Sequence, residues 1–234
     1  MNSVKNEFNG SSSQYVIEDN FASYRAFILE NCGKIIEFPA GTCLSRGGQP
    51  VKCMYFLLNG TVKIYTVNID GYVRLLGYHK KNTIFVLDGL RQDQNAIVTS
   101  EAVSNIRVVE LSLQDIRRLC KKNYEFFFDL LLYYCDVLRL MCFDAESQSI
   151  DGVDTRLANF IALYMQSENY RRIRYIPMSQ DNLASAINAS RIQTARVCAK
   201  FKQEGIISIE KRKLIINDEN KLRKFQAKRN EEQC

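Results

Sequence analysis

The chain predicts an α+β fold, strand-rich in its first half and helical in its second. Three observations carry that expectation. Between Ile35 and about Ser112, short apolar runs alternate with turn signals. From Ser112 onward the apolar spacing becomes helical. Charge is also unevenly divided: residues 1–150 carry 16 Lys/Arg against 16 Asp/Glu, and residues 151–234 carry 16 against 10, so the whole net charge of +6 lies in the last third.

At 234 residues the chain is long for one domain and comfortable for two modest ones. A hydrophobic fraction of 46%, with 11 Gly and 3 Pro, argues for a packed core rather than a low-complexity scaffold. No apolar run reaches the length of a membrane span. The first residues (MNSVKNEFNGSSSQY) contain no apolar export segment, so a cytoplasmic location and reduced cysteines are expected. None of the eight cysteines forms C-x-x-C, and none has a neighbouring His. Cys32, Cys43, Cys53, Cys120, Cys135, Cys142, Cys198 and Cys234 are therefore read as small buried hydrophobes.

Residues 1–20 are polar and expected to be flexible, and a short helix is expected over 21–32. Strands follow at Cys53–Leu58, Val62–Val67 and Val73–Tyr78, punctuated by Pro39-Ala40-Gly41, Asn59-Gly60 and Asp70-Gly71. The last two pairs favour tight turns because both residue types tolerate positive φ. Such regular, short strands imply a sandwich or roll over 21–112. Ser112 and Asp115 have capping-box spacing for the next helix.

Residues 113–150 read as connecting and dimerisation helices. Over Tyr124–Ser147, Phe127, Leu131, Tyr134, Leu138, Met141 and Ala145 step by 4, 3, 4, 3, 4, a heptad seam expected to meet a second copy of the chain. Phe126, Leu130, Tyr133, Val137 and Leu140 repeat that rhythm one residue earlier and are assigned to the chain's own core. The polar stretch Ser147–Asp154 is expected to break the helix, and 151–234 to form a separate domain. There Asp151 or Asp154 opens a helix to about Gln166, Glu168–Arg174 reads as a basic loop, and strands are expected near Ile206–Ile209 and Lys213–Ile216.

The decisive segment is Met178–Phe201 (MSQDNLASAINASRIQTARVCAKF). Ser179 is an N-cap for a helix whose inward face is Leu183, Ala184 and Ile187. Asn188 suits a left-handed turn, and Ser190 caps a second helix with Thr194 or Ala195, Val197, Cys198 and Phe201 inward. Arg191, Ile192, Gln193 and Arg196 then face outward, the layout of a helix-turn-helix whose second helix enters a major groove. Gly205-Ile206-Ile207 starts a hairpin tipped by Lys211-Arg212-Lys213.

This pattern, S-Q-x-x-L-A through S-R-x-x-x-x-R to E-G-I-I, resembles the Crp/Fnr family of bacterial transcription regulators. Phe38-Pro39-Ala40-Gly41, Gly47, Tyr55–Lys63 and Asp70-Gly71 are similar to the family's cyclic-nucleotide-binding-type domain, so the resemblance extends over nearly the whole chain. It implies an N-terminal double-stranded, jelly-roll-like β-roll, a long dimerisation helix and a C-terminal winged helix-turn-helix. It also implies a non-enzymatic, homodimeric regulator that binds an inverted-repeat operator in double-stranded DNA. By position, Arg191, Ile192, Gln193 and Arg196 would face base edges, and Ser179, Ser190 and Lys213 phosphates. Many relatives carry Glu where this chain has Ile192; Ile cannot accept from cytosine, so the half-site is expected to differ. Ser167–Arg172 lies where activators of the family present a loop to RNA polymerase.

The sensor departs from the cyclic-nucleotide pattern. Where relatives carry a Gly-Glu pair for ribose and an Arg-Ser pair for phosphate, this chain reads Phe85-Val86-Leu87-Asp88 and Asn95-Ala96-Ile97-Val98. No Arg is available to pair with an anion. Phe85, Leu87, Ala96, Val98, Tyr134, Leu138, Met141 and Cys142 are expected to form an apolar effector pocket for a small organic or aromatic ligand, with no cofactor. The chain loosely resembles the family branch that senses halogenated phenols. Redox or haem sensing stays as an alternative, although Cys32, Cys43 and Cys53 are widely spaced and the single His79 is expected at an exposed turn. Cys135 and Cys142, seven apart on one helix, lie ~10 Å from each other, too far for an internal disulfide. With one His, no G-x-S-x-G, no P-loop and no metal spacing, the residues offer no catalytic constellation.

Overall fold

The computed structural model describes residues 15–226 apart from 70, 72, 92, 93 and 167. Most of the expected flexible N-terminus, Asp70 of the third turn, Ser167 and Cys234 thus lie outside the described residues. Contacts divide the chain into two compact units, one spanning Tyr15–Leu138 and one containing everything from Arg139 onward.

The first unit runs β1 (Tyr15–Ile17), α1 (Arg25–Asn31), β2 (Ile35–Phe38), β3 (Cys43–Ser45), β4 (Cys53–Asn59), β5 (Val62–Val67), β6 (Val73–His79), β7 (Thr83–Phe85), β8 (Thr99–Ala102), β9 (Ile106–Ser112) and α2 (Leu113–Lys122). It ends with the first half of α3 (Tyr124–Ile150). The strands form two sheets, ordered β1-β6-β5-β8-β3 and β2-β9-β4-β7. All pairings are antiparallel except β1 with β6. Met54, Phe56, Leu57, Val62, Ile64, Val108 and Leu111 supply the buried core. Gly60 holds φ +95° at the β4–β5 turn, where a Cβ would lie 2.6 Å from the Asn105 carbonyl oxygen, so only glycine fits. Ser112 and Asp115 close a reciprocal capping box at the start of α2.

α3 separates the two stripes by burial. Phe126, Leu130 and Tyr133 are buried in the β-roll unit. The Phe126 ring lies 5.9 Å from Phe21 and 5.3 Å from Tyr24, and the Tyr133 hydroxyl donates to the Ile84 carbonyl at 2.9 Å. On the adjacent stripe Phe127, Leu131 and Leu138 are 46%, 49% and 64% exposed. Tyr134 leaves that stripe: it is half-buried, and its hydroxyl donates to the Leu87 carbonyl at 3.1 Å.

The second unit contains the rest of α3, α4 (Val153–Gln166), α5 (Glu168–Ile173), β10 (Ile176–Pro177), α6 (Gln180–Ala186), α7 (Arg191–Gln203), β11 (Ile207–Glu210), β12 (Lys213–Ile216) and α8 (Glu219–Arg223). Its core joins Leu157, Phe160, Ile161, Tyr170, Ile176, Leu183, Ile187, Cys198, Phe201, Ile206 and Leu214. Burial pushes the Cys198 thiol up to about 11, so it acts as packing rather than as a nucleophile.

Three expectations are corrected and one is narrowed. The polar stretch Ser147–Asp154 does break the helical run, but only at Asp151-Gly152: α3 continues to Ile150 and α4 starts at Val153. Its polar groups are satisfied within the fold: the Ser147 hydroxyl donates to Asp151 at 2.7 Å, and Gln148 accepts from Asn188 at 2.7 Å and from Arg156. Glu168–Arg174 is not an open loop, because α5 occupies most of it. His79 is only 4% exposed, at the buried end of β6 and 5.9 Å from the Phe85 ring, rather than at an exposed turn. Among the described cysteines only Cys32 and Cys198 are buried; Cys43, Cys135 and Cys142 are exposed.

Candidate nucleic-acid interface

α6 and α7 form a helix-turn-helix whose geometry follows from local chemistry. Ser179 caps α6 by accepting from the Asn182 N–H at 3.2 Å. Leu183, Ala184 and Ile187 are buried, as helical spacing demands. Asn188 takes φ +49° at the turn, a conformation that Asn tolerates better than most residues. Ser190 then starts α7 with a capping box: its hydroxyl accepts from the Gln193 N–H at 3.2 Å, while Gln193 Oε1 accepts from the Ser190 N–H at 3.0 Å. Thr194, not Ala195, is the fully buried residue of the first turn, its hydroxyl donating to the Ser190 carbonyl at 3.0 Å. Cys198 and Phe201 continue the inward face.

This burial leaves Arg191, Ile192, Gln193 and Arg196 exposed together along one side of α7, with Ile192 66% exposed. Ile192 thus presents an apolar side chain to solvent beside two arginines. The Gln193 oxygen is held by its cap, and its amide nitrogen carries the donors that remain. α7 ends at Gln203 and is closed off by Gly205 (φ +72°), and the Ile206 N–H donates to the Phe201 carbonyl at 2.8 Å. The β11–β12 hairpin turns through Lys211 and Arg212, both at positive φ, and sets Lys213 Nζ 4.7 Å over the Tyr175 ring. Ser179, Ser190 and Lys213 all lie in this same unit, the first two with hydroxyls already accepting at helix caps.

The expected effector-pocket residues are dispersed in environment. Phe85 and Ala96 are buried, and Leu87, Val98 and Tyr134 are half-buried. Leu138 is exposed, and Met141 and Cys142 belong to the second unit. Sequence reasoning did not foresee that Asp88 Oδ2 accepts from the Ile97 N–H at 3.0 Å, joining Phe85–Asp88 to Asn95–Val98. It also missed left-handed Val86 (φ +58°), a strained state for a β-branched residue. Among the described residues, no group of three or more His, Cys, Asp or Glu is placed to hold a metal, and no helix is long and apolar enough to cross a membrane.

A β-roll followed by a helix-turn-helix with a basic, exposed second helix defines a two-domain, DNA-binding transcription regulator. Comparison with known proteins agrees. The family model for the cyclic nucleotide-binding domain matches residues 35–123, and that for the Crp-like helix-turn-helix domain matches residues 155–225. The chain belongs to the Crp/Fnr family of transcription regulators. It is 23% identical over 193 residues to the anaerobic regulatory protein of Haemophilus influenzae, covering 76% of this chain and 71% of that protein. It is 20% identical over 182 residues to the transcriptional activator protein anr of Pseudomonas aeruginosa, covering 76% and 74%. The fold is similar to that of CprK complexed with OCPA, with TM-score 0.71 at 16% identity over 92% of this chain and 99% of that one.

Proposed function

We propose that the chain acts as a homodimer, that α7 of each protomer reads one half of an inverted-repeat operator, and that the regulator answers to an effector other than a cyclic nucleotide. The observation that carries DNA reading is the exposed row Arg191, Ile192, Gln193 and Arg196 on a helix whose opposite face is fully packed. Arg191 and Arg196 offer bidentate donors to guanine, Ile192 meets a thymine methyl, and the Gln193 amide donates. Ser179, Ser190 and Lys213 anchor phosphates and fix the register.

Dimerisation is supported by the exposed apolar seam of α3. Two modifications to the heptad follow from burial: Tyr134 faces the roll, and Phe128 and Leu132, both largely exposed, widen the seam around Phe127, Leu131 and Leu138. Met141, half-buried, continues it in sequence. The effector reading is supported by the absence of Lys and Arg from Phe85–Asp88 and Asn95–Val98, and by the Asp88–Ile97 bond between them. An uncharged or aromatic organic molecule suits the apolar side chains of Phe85, Leu87, Ala96 and Val98. CprK, which shares the fold, is a protein solved with OCPA bound. RNA polymerase is a further proposed partner.

Randomised-site selection with the full-length protein tests the reading. The expected product is an inverted repeat with half-site centres about 34 Å apart. Arg191→Ala is expected to weaken operator binding by about 1–3 kcal/mol and flatten preference at one guanine per half-site. Selection of sequences without dyad symmetry would overturn it.

A further inference from the structure

Asp181 is the only carboxylate between Met178 and Gln203. It sits in the first turn of α6, and its Oδ1 lies 3.1 Å from Nε of Arg191, the first residue of α7. The two side chains are 63% and 73% exposed, so the pair adds little to folding stability. Its consequence is directional. A guanidinium carries five N–H donors in a rigid fork. An ion pair at Nε biases where the guanidinium rests and leaves the Nη donors for a second partner, and bidentate guanine recognition needs two parallel donors held in one plane. Asp181 and Arg191 line a cleft of about 280 Å³ with Ser179 and Arg212, between the starts of α6 and α7 and the hairpin. A carboxylate placed there, among groups assigned to phosphates, opposes any polyanion that brings no compensating base contact.

We propose that Asp181 is a positioning and specificity residue for DNA recognition: its carboxylate orients the Arg191 guanidinium toward a base edge and disfavours phosphate-only binding, so that it sets the ratio of operator to random-sequence affinity. This inference rests on the reading of α7 as the base-reading helix. Without Asp181, Arg191 is free to swing to a backbone phosphate, gaining charge contact and losing base choice. A negative charge that weakens total binding while sharpening selectivity accounts for an acid on an otherwise basic and neutral surface.

The test uses the full-length protein and its selected operator, with Asp181→Asn, Asp181→Ala, Asp181→Glu, Arg191→Ala and the double variant Asp181→Asn/Arg191→Ala. Operator and random duplexes are titrated between 50 and 200 mM salt, on the order of the range over which phosphate contacts dominate. Both neutral variants should keep the wild-type melting temperature and bind random duplex more tightly. Their salt slope should steepen by about one unit. In randomised-site selection they should flatten the same single base position that Arg191→Ala flattens, and Asp181→Glu should restore it. In the Arg191→Ala background, Asp181→Asn should have no further effect at that position. If Arg191→Ala flattens the position while both neutral variants leave it and the random-duplex slope unchanged, the ion pair is incidental and the proposal falls. If Arg191→Ala itself changes no base preference, the base-reading role of Arg191 fails first and takes the proposal with it.

Discussion

In the β-roll, the segments corresponding to a nucleotide site are closed on themselves: Phe85, Val86 and Ala96 are buried, and Asp88 is spent on the Ile97 backbone. In the winged helix, Arg191, Ile192, Gln193 and Arg196 stand exposed above a core that has no further use for them. The first pair of segments has spent its one charged side chain on its own backbone, and the second surface has left donors and charge facing outward. The difference follows from what each must meet. A buried anion site without Arg or Lys would leave charge unpaired in a low dielectric. A surface proposed to meet phosphates and base edges gains from keeping its donors in water until the partner arrives.

Five measurements break or sharpen that contrast. The largest effect is expected from Phe126→Ala, which empties the aromatic cluster with Phe21, Tyr24 and Phe27. It should cost the β-roll about 3–5 kcal/mol in denaturant unfolding, with hydrogen exchange of the winged helix unchanged. Leu138→Glu should leave β-roll stability near wild type, because the side chain is already exposed. It should nevertheless yield monomer by analytical ultracentrifugation and weaken operator binding about 100-fold, or ~2.7 kcal/mol. A dimeric variant would remove the seam from α3.

The third measurement concerns His79, whose pKa burial pulls down to about 3. An unfolded chain takes that proton near pH ~6.5. The histidine's contribution is therefore intact above that pH and is lost as pH falls from about 6.5 toward 3, by up to about 1.4 kcal/mol per pH unit. His79→Gln should flatten the drop in unfolding midpoint between pH ~7 and ~5, and an unchanged drop would place the dependence elsewhere. Fourth, Lys213→Ala should weaken all duplexes alike and reduce the salt slope by about one unit, without changing base preference. The smallest effect is expected from cyclic AMP: at millimolar concentration it should shift neither melting temperature nor operator affinity. Saturable micromolar binding by calorimetry would mean that the β-roll provides a cation from outside Phe85–Asp88 and Asn95–Val98.

Much of the fold was legible because the signals are local. Asn59-Gly60 announces a turn through glycine's freedom at positive φ, and Ser112 with Asp115 announces a helix start through two short hydrogen bonds. Ser179, Asn188 and Ser190 mark the helix-turn-helix by the same means. The outward row of α7 follows from helical spacing once Leu183, Cys198 and Phe201 are inward. Local chemistry of this kind is settled within four residues, so sequence alone determined the strand-to-helix order and the face that α7 presents.

Tertiary packing decided the remainder. Tyr134 shares the rhythm of the exposed stripe on α3, and only the Leu87 carbonyl, 47 residues earlier in the chain, draws its hydroxyl toward the roll. Ser147–Asp154 reads as a polar break, and the break falls at Asp151-Gly152; Gln148 finds partners in Arg156 and Asn188 that periodicity cannot see, so α3 keeps its last turn to Ile150. His79 is buried because β6 pairs with β1 and β5 at that level. Asp181 meets Arg191 only when the turn at Asn188 folds α7 back beside α6. In each case the decisive partner lies on another element, beyond the reach of one helical turn, and polarity or spacing at one position carries no information about what the fold will place opposite it.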